Sequence, residues 1–314
     1  MTQEEIAKKL GVSQSSVSHV LRDPATNRVS KDVKEKIIGL LKSPAGSGRH
    51  YRRPTWNLGY LVDSLQNLNH SFYALALAGI EQQAADEYYN VIVESYRSKE
   101  IRMLSERRVD GVIVRSGLAW ETLRKKDNEL PIVLLNCSQP ILNCDMVMPD
   151  NRGGMFKALE YLSQHGCRKP LFVGAQPDYS VYSCNYAERR DGFLEAARVY
   201  GMETSEICIA GAVSPESMEA IKRQLEALDH PFDAIVAVNH LYAVLAHSIF
   251  PNHSVIAGDN KKFPDYSDEG IAVLEMEVLA MGKIAAEMLL KRLHSPKRPF
   301  VRINCDMLLK EASK

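Results

Sequence analysis

No stretch of this 314-residue chain approaches the roughly 18 consecutive apolar residues that a membrane-spanning helix needs. Its first residues, MTQEEIAKKL, are polar, so neither a secretory signal nor export is expected. The six cysteines (Cys137, Cys144, Cys167, Cys184, Cys208 and Cys305) stand apart, with no CxxC pair. That spacing suits reduced thiols in the cytoplasm and offers no ligand set for a structural zinc. Catalytic signatures are missing too: there is no GxSxG, no HExxH and no Cys/His pair at a telling spacing. DNRGG at 150–154 has two glycines ahead of a helix but lacks the Lys and Ser of a phosphate loop. His165, His240 and His247 read as surface or internally satisfied histidines rather than bases. An enzyme is therefore not expected, nor a cofactor or a metal.

Net charge is lacking as well, but only on average. Residues 1–54 carry 11 lysines and arginines against 5 acids, while the remainder carries 28 against 34. A basic head on an acidic body suits a phosphate-binding module fused to a domain of another kind. At 45% hydrophobic and 25% charged residues the composition is that of a soluble globular protein, and the length allows two or three compact units.

Three helices fit into residues 2–42. The first, TQEEIAKKL, has Thr2 as a candidate N-cap, Glu4 and Glu5 in its first turn, and Ile6 and Leu10 on one face. Gly11 suits the reversal after it. Ser13 can cap a second helix whose inward face is Val17, Val20 and Leu21. After the turn-rich RDPATNRV, Ser30 can cap a third, striped by Val33, Ile37, Leu40 and Leu41. Helix, tight turn, helix and supporting helix is the arrangement of a helix-turn-helix DNA reader.

The outward face of the second helix carries Gln14, Ser15, Ser18, His19 and Arg22, all hydrogen-bond donors and none acidic. A DNA major groove admits one helix and is read through hydrogen bonds to base edges. Gln14 can pair bidentately with adenine, and Ser15 and His19 can reach base edges or phosphates. Ser13, Ser16 and Arg22 lie where phosphates would flank the helix. Thr2, Asn27 and Val29 complete the candidate DNA-contacting residues of the head.

From Asn57 onward, apolar runs such as LGYLV, DGVIV, PIVLLN, PLFVG, DAIVAV and GIAVLE alternate with amphipathic patterns at 72–87, 152–165, 186–200, 214–228 and 277–293. That alternation predicts βαβ units, parallel sheets and helices on both faces. About ten strands suffice for two doubly wound halves, with ligands in the cleft at the carboxyl ends of the strands.

EEIAKKLGVSQSSVSHVLRD…RVSKDVKEKI resembles the N-terminal reader of the LacI/GalR family of bacterial transcription regulators. Ser16 stands where that family usually has Thr, and His19 where it often has Arg. The resemblance implies that Gln14, Ser15 and His19 read bases. It continues through the body. HSFYALALAGIE is similar to the family's first strand-to-helix loop, which puts Phe72 and Tyr73 over the effector. MPDNRGGMFKALEYLSQHGCRKPLFVGA matches a characteristic crossover, with Asp150 in place. AERRDGFLEAARVYGM puts Arg189 at the effector-clamping arginine. AVN puts Asn239 at a polar contact, and VIAGDN makes Asp259 the hydroxyl-binding carboxylate. Asn136 joins this candidate effector-binding set. The chemistry agrees: Arg189 offers a planar fork of donors, Asp259 and Asn239 accept from hydroxyls, and the aromatics cover an apolar sugar face.

Two departures stand out. The linker SPAGSGRHYRRPTW has no Ala/Leu stripe, so the family's regular hinge helix is not expected. Arg49, Arg52 and Arg53 either track phosphates or belong to a flexible solvated linker. In addition, His240 follows Asn239 where the family has Asp, and LYAVLAHSIFPNHSVIAG is short.

The expected fold is α/β: an N-terminal helix-turn-helix three-helix head plus a two-lobed, doubly wound parallel-sheet domain of the periplasmic-binding-protein-like kind. The expected domains are 1–43, a linker at 44–56 and an effector-binding and dimerisation domain at 57–314. Its first lobe takes about 57–150 and 275–300, its second about 151–274 and 301–314. The expected function is a cytoplasmic homodimeric regulator, read as a repressor, on a pseudo-palindromic double-stranded DNA operator. A small-molecule effector, a sugar or sugar derivative, would modulate it, and no membrane is involved. The alternatives are a sugar-binding or sugar-converting α/β protein with a helical appendage, and a regulator that senses nothing.

Overall fold

A computed structural model describes residues 3–24, 26–42, 54–98, 100–115, 120, 123–124, 130–137, 143–175, 184–209, 215–259 and 270–312. Helices α1 (Gln3–Leu10), α2 (Gln14–Arg22) and α3 (Lys31–Lys42) form the head. Gly11 takes a positive φ of 66°, and the Val12 N–H reaches back to the Ala7 carbonyl at 3.0 Å. A non-glycine residue would be strained there, so this one glycine sets the tight turn. Ile6, Ala7, Val17, Val20, Val29, Ile37 and Ile38 are buried and make the head's core. The two-helix spacing and the inward valines are as the sequence predicts.

The body holds two six-stranded sheets. The first combines β1 (Asn57–Val62), β2 (Asn90–Ser95), β3 (Gly111–Val114), β4 (Ile132–Leu135), β5 (Asp145–Pro149) and β11 (Arg302–Cys305), in the order β11-β5-β4-β3-β1-β2. The second combines β6 (Pro170–Ala175), β7 (Ser205–Ile209), β8 (Ala234–Ala237), β9 (Ser254–Ala257), β10 (Ile271–Met276) and β12 (Met307–Lys310), in the order β12-β10-β9-β8-β6-β7. The two orders repeat one plan. Every pairing is parallel except that of β12 with β10. Strands such as GVIV and IVLL are buried along their whole length, as a sheet covered on both faces requires.

Helix α4 (Ser71–Asp86) and a short helix α5 (Arg102–Ser105) belong to the first lobe. Helices α6 (Asn151–Gln164), α7 (Cys184–Val199), α8 (Pro215–Glu226) and α9 (His240–Ile249) belong to the second. The last helix, α10 (Val278–His294), returns to pack along α4. Gly79 and Gly282 permit this close approach, because a side-chain carbon on either would strike a backbone carbonyl of the other helix.

The chain thus crosses between lobes at Asp150, at Glu277 and at Asp306. The last crossing corrects the expected division at 301: residues 302–305 pair in parallel with β5 in the first sheet, and only 307–310 join the second. The β5 edge needs a ladder partner, and RINC supplies it before the chain moves on. Twelve strands form among the described residues where about ten were expected.

Candidate nucleic-acid interface and ligand cleft

On α2, Gln14, Ser15 and Arg22 are exposed, while Ser16, Ser18 and His19 are half-buried. Ser13 caps the helix: its Oγ accepts from the Ser16 N–H at 3.0 Å and lies 2.8 Å from both Ser15 Oγ and Ser16 Oγ. Neighbouring backbone N–H groups and three hydroxyls therefore gather at the positive end of the helix, a favourable place for a phosphate oxygen. Asn27 is exposed, but Val29 is buried in the head's core, where its apolar side chain serves packing. Thr2, Arg49, Arg52 and Arg53 lie outside the described residues.

The cleft candidates collect at the carboxyl ends of the strands. Asn136 follows β4 with a positive φ of 54°, and its Oδ1 accepts from Asn185 Nδ2 at 2.9 Å. Asn185 belongs to α7, so this bond spans the two lobes. A second bridge joins Arg302 of β11 to Glu188 of α7, Nη2 to Oε1, at 2.9 Å.

From Asn185 the network continues into the second lobe. Asn151 Nδ2 donates to Asn185 Oδ1 at 3.2 Å and to Glu188 Oε2 at 2.9 Å. Its Oδ1 accepts from Arg189 Nε at 2.9 Å. Arg189, only 2% exposed, also donates from Nη1 to the Val238 carbonyl at 2.7 Å and to Asp259 Oδ2 at 3.2 Å. Asp259 accepts further from the His240 N–H at 2.9 Å, so both its oxygens are engaged. Its side chain is 25% exposed, which leaves lone pairs for an incoming hydroxyl. Asn239 caps α9 through Oδ1 and donates from Nδ2 to the Tyr186 hydroxyl at 3.0 Å. Burial is the main reason that the Tyr186 phenol pKa lies above its ordinary value; the nearby Asp259 carboxylate adds to the effect.

In the first lobe, Phe72 and Tyr73 open α4, both buried, with their rings edge to face at 5.7 Å. Between them stands Arg115, which sequence reasoning missed. Its Cζ lies 4.8 Å from the Phe72 ring centre and 5.0 Å from that of Tyr73. Asp150 takes no part in the network: it caps α6, its Oδ1 accepting from the Gly153 N–H at 3.0 Å. Asn151, Asn185, Tyr186 and Glu188 were also missed. Asn185 and Tyr186 stand four and three residues before Arg189, so helical spacing alone put them on its face.

A family model described as periplasmic binding proteins and sugar binding domain of LacI family matches residues 55–255. The chain belongs to the LacI/GalR family. Its curated relatives include an HTH-type transcriptional repressor PurR of Mannheimia succiniciproducens, 22% identical and covering 100% of this chain and 98% of that protein. The repressor of the same name from Aliivibrio salmonicida is 26% identical over 95% of each chain. Among solved structures, a transcriptional regulator CelR–cellobiose complex matches with a TM-score of 0.67 at 21% identity, covering 99% of this chain and 98% of that one. A LacI family transcriptional regulator from Enterococcus faecium with bound ribose matches with a TM-score of 0.63 at 19% identity, covering 81% of this chain and 97% of that one. At these identities the structural likenesses establish the fold. Relatives that match over almost their full length, head included, are transcriptional repressors. Among the described residues, no helix is long and apolar enough to cross a membrane, and no group of three His, Cys, Asp or Glu could hold a metal ion.

Proposed function

We propose that this protein is a dimeric, operator-binding repressor whose affinity for DNA is set by a small polyhydroxylated effector in the cleft. In this reading residues 1–43 are the DNA reader, 44–56 the linker and the remainder the effector and dimerisation domain, working on DNA in the cytoplasm. The observation that carries it is the union, in one chain, of a donor-rich outer face on α2 that holds no acid with a cleft bridged by Asn136–Asn185 and Arg302–Glu188. Gln14 and His19 read base edges, while Ser13, Ser15, Ser16, Ser18, Arg22 and Asn27 meet base edges or phosphates, joined by Thr2 and the linker arginines. One short helix reads few bases, so a twofold pair on an inverted repeat supplies the remaining specificity.

The effector lies against Phe72 and Tyr73 and hydrogen-bonds to Asn136, Asn239, Asp259 and the free edge of Arg189. It competes for partners that now hold the lobes together. Binding therefore favours one lobe angle over another, and the dimer converts that angle into the spacing of its two heads. The relatives support this class: a CelR structure holds cellobiose and an Enterococcus faecium structure holds ribose.

A second reading, a regulator that dimerises but senses nothing, draws support from one feature: Arg189 and Asp259 already satisfy each other. One experiment separates the two. Random duplex DNA is selected on the purified protein, with and without pooled sugars and nucleosides. An enriched inverted repeat that weakens or strengthens with one pool is the expected outcome. An inverted repeat indifferent to every pool leaves the non-sensing regulator. No enrichment under any condition overturns the DNA-reader assignment.

A further inference from the structure

Arg115 immediately follows β3, one strand from Asn136 and on the same carboxyl edge of the first sheet. Parallel sheets of this kind bind ligands along that edge. The guanidinium is held in one orientation by the Phe72 and Tyr73 rings and by a bond from Nη1 to the Tyr73 hydroxyl oxygen at 2.6 Å. Among the described residues no carboxylate comes within ion-pair distance of it. Asp63, at the end of β1, attracts it only from farther away. Arginine has five N–H donors in a rigid fork and stays charged, so most of its hydrogen-bonding capacity is unspent here.

A second group in the same cluster is also unspent. Tyr60, in the middle of β1, is fully buried, and among the described residues its hydroxyl has no hydrogen-bond partner. It feels the charge of Arg115 and lies in the electrostatic neighbourhood of Tyr73 and Asp63. A buried hydroxyl without a partner is costly and needs a reason. Tyr73 accepts from Arg115, so its own hydroxyl hydrogen is free to donate. Arg115 and Tyr73 thus present N–H and O–H donors at this edge, and Tyr60 adds an unpartnered hydroxyl in their electrostatic neighbourhood.

We propose that Arg115, with the hydroxyls of Tyr60 and Tyr73, forms an anion subsite in the first lobe, and that the effector carries a carboxylate or a phosphate there. This rests on the cleft being the effector site. A neutral hydroxyl could accept from one of these donors, but only an anion both fills the guanidinium fork and neutralises a positive charge that has no close counter-ion among the described residues. The second lobe has no such need, because Arg189 is already paired with Asp259.

The test measures thermal unfolding and titration calorimetry of the full chain at matched ionic strength. The probes are glucose, ribose, glucose 6-phosphate, ribose 5-phosphate, glucuronate and inorganic phosphate. At least one anionic sugar is expected to bind about tenfold or more tightly than its neutral parent. Arg115→Gln should abolish that preference, and Arg115→Lys should restore part of it. Tyr60→Phe should weaken the same probe several-fold yet raise the unfolding midpoint without ligand, since it removes an unpaired buried hydroxyl. A merely structural role would not move the two readouts in opposite directions. Glucuronate against the sugar phosphates distinguishes a carboxylate from a phosphate, and inorganic phosphate alone, if its binding is lost in Arg115→Gln, assigns the subsite to the free ion. Neutral sugars bound as tightly as their anionic forms, in wild type and in Arg115→Gln alike, would overturn the anion subsite and leave the effector cleft standing. No shift with any probe overturns both.

Discussion

Arg189 in the second lobe and Arg115 in the first both stand at the cleft, in lobes that repeat one strand order, yet their surroundings are opposite. Arg189 is nearly inaccessible and bonded to a side-chain amide, a backbone carbonyl and a carboxylate. Arg115 is half-buried, stacked on two rings and bonded to a single phenol oxygen. The second-lobe arginine already has its carboxylate partner, and the first-lobe arginine, among the described residues, has none at ion-pair distance. A buried charge paired with a carboxylate rigidifies its surroundings, whereas one held by two rings and a phenol is poised to take a ligand. The contrast makes the second lobe the fixed wall of the cleft and the first lobe the wall with capacity to spare.

The contrast is sharpest against a third arginine, which belongs to the first lobe but is saturated. Arg292 near the end of α10 donates from Nε to Asp145 Oδ2 at 2.8 Å and from Nη2 to Asp145 Oδ1 at 3.0 Å, and it also holds the carbonyls of Pro296 and Pro299. Asp145 is 0% exposed. Arg292→Met should therefore strand a buried carboxylate and release the segment leading into β11, at a cost of about 3–5 kcal/mol. Urea unfolding of the variant measures this. An unchanged midpoint would mean that saturation is not what makes these arginines structural.

Arg189→Gln is the matching change in the second lobe. It leaves Asp259 without its charged partner and the Val238 carbonyl without a donor. Because Asp259 keeps some access to water, the expected loss is smaller, about 2–4 kcal/mol. The same denaturant titration reads it. Arg115→Gln, measured alongside, should cost far less than either, and an equal loss in all three would erase the distinction between the lobes.

The sequence carries this contrast only in part. GVIV and IVLL announce themselves as strands because continuous burial demands continuous apolar residues. RINC and MLLK do not, since each is a four-residue edge strand without a continuous apolar run. DMVMP hides for another reason: two methionines and a proline carry little strand preference, although all five residues are buried. The family resemblance names Arg189, Asp259, Asn239 and Asn136, and the structure gathers these four at the cleft. Asp150 matches it equally well, and the structure shows its Oδ1 capping α6. Arg115 and Tyr60 had no signal, because an arginine after a strand and a tyrosine within one are ordinary until the fold shows what surrounds them.

The head extends the comparison to a surface that must meet water until DNA arrives. Gln14 is exposed on that surface, so its substitution should alter recognition more than stability. Gln14→Ala is expected to lower discrimination between the selected operator and a duplex with one changed base pair by about 1–3 kcal/mol, with the unfolding midpoint nearly unmoved. Competition binding with the two duplexes measures it. Equal discrimination in the variant removes Gln14 from the reading face.

Ser13 sits on the border between these two behaviours, and its replacement has the smallest expected effect. The Oγ is exposed, yet it accepts the Ser16 N–H and shares hydrogen bonds with the Ser15 and Ser16 hydroxyls. Ser13→Ala removes the cap of α2, which elsewhere costs about 1 kcal/mol of stability. It also frees two hydroxyls and one N–H that would face a phosphate. DNA affinity should fall to a similar degree for the operator and for unrelated duplexes, because a phosphate contact carries no base information. Salt titrations of both complexes alongside the denaturation curve separate the two effects. If stability falls while both affinities hold, Ser13 acts in the head as Arg189 acts in the cleft, as an internal tie. If affinity falls beyond what the stability change explains, the hydroxyl cluster belongs to the DNA surface, as the donors beside Arg115 belong to a ligand.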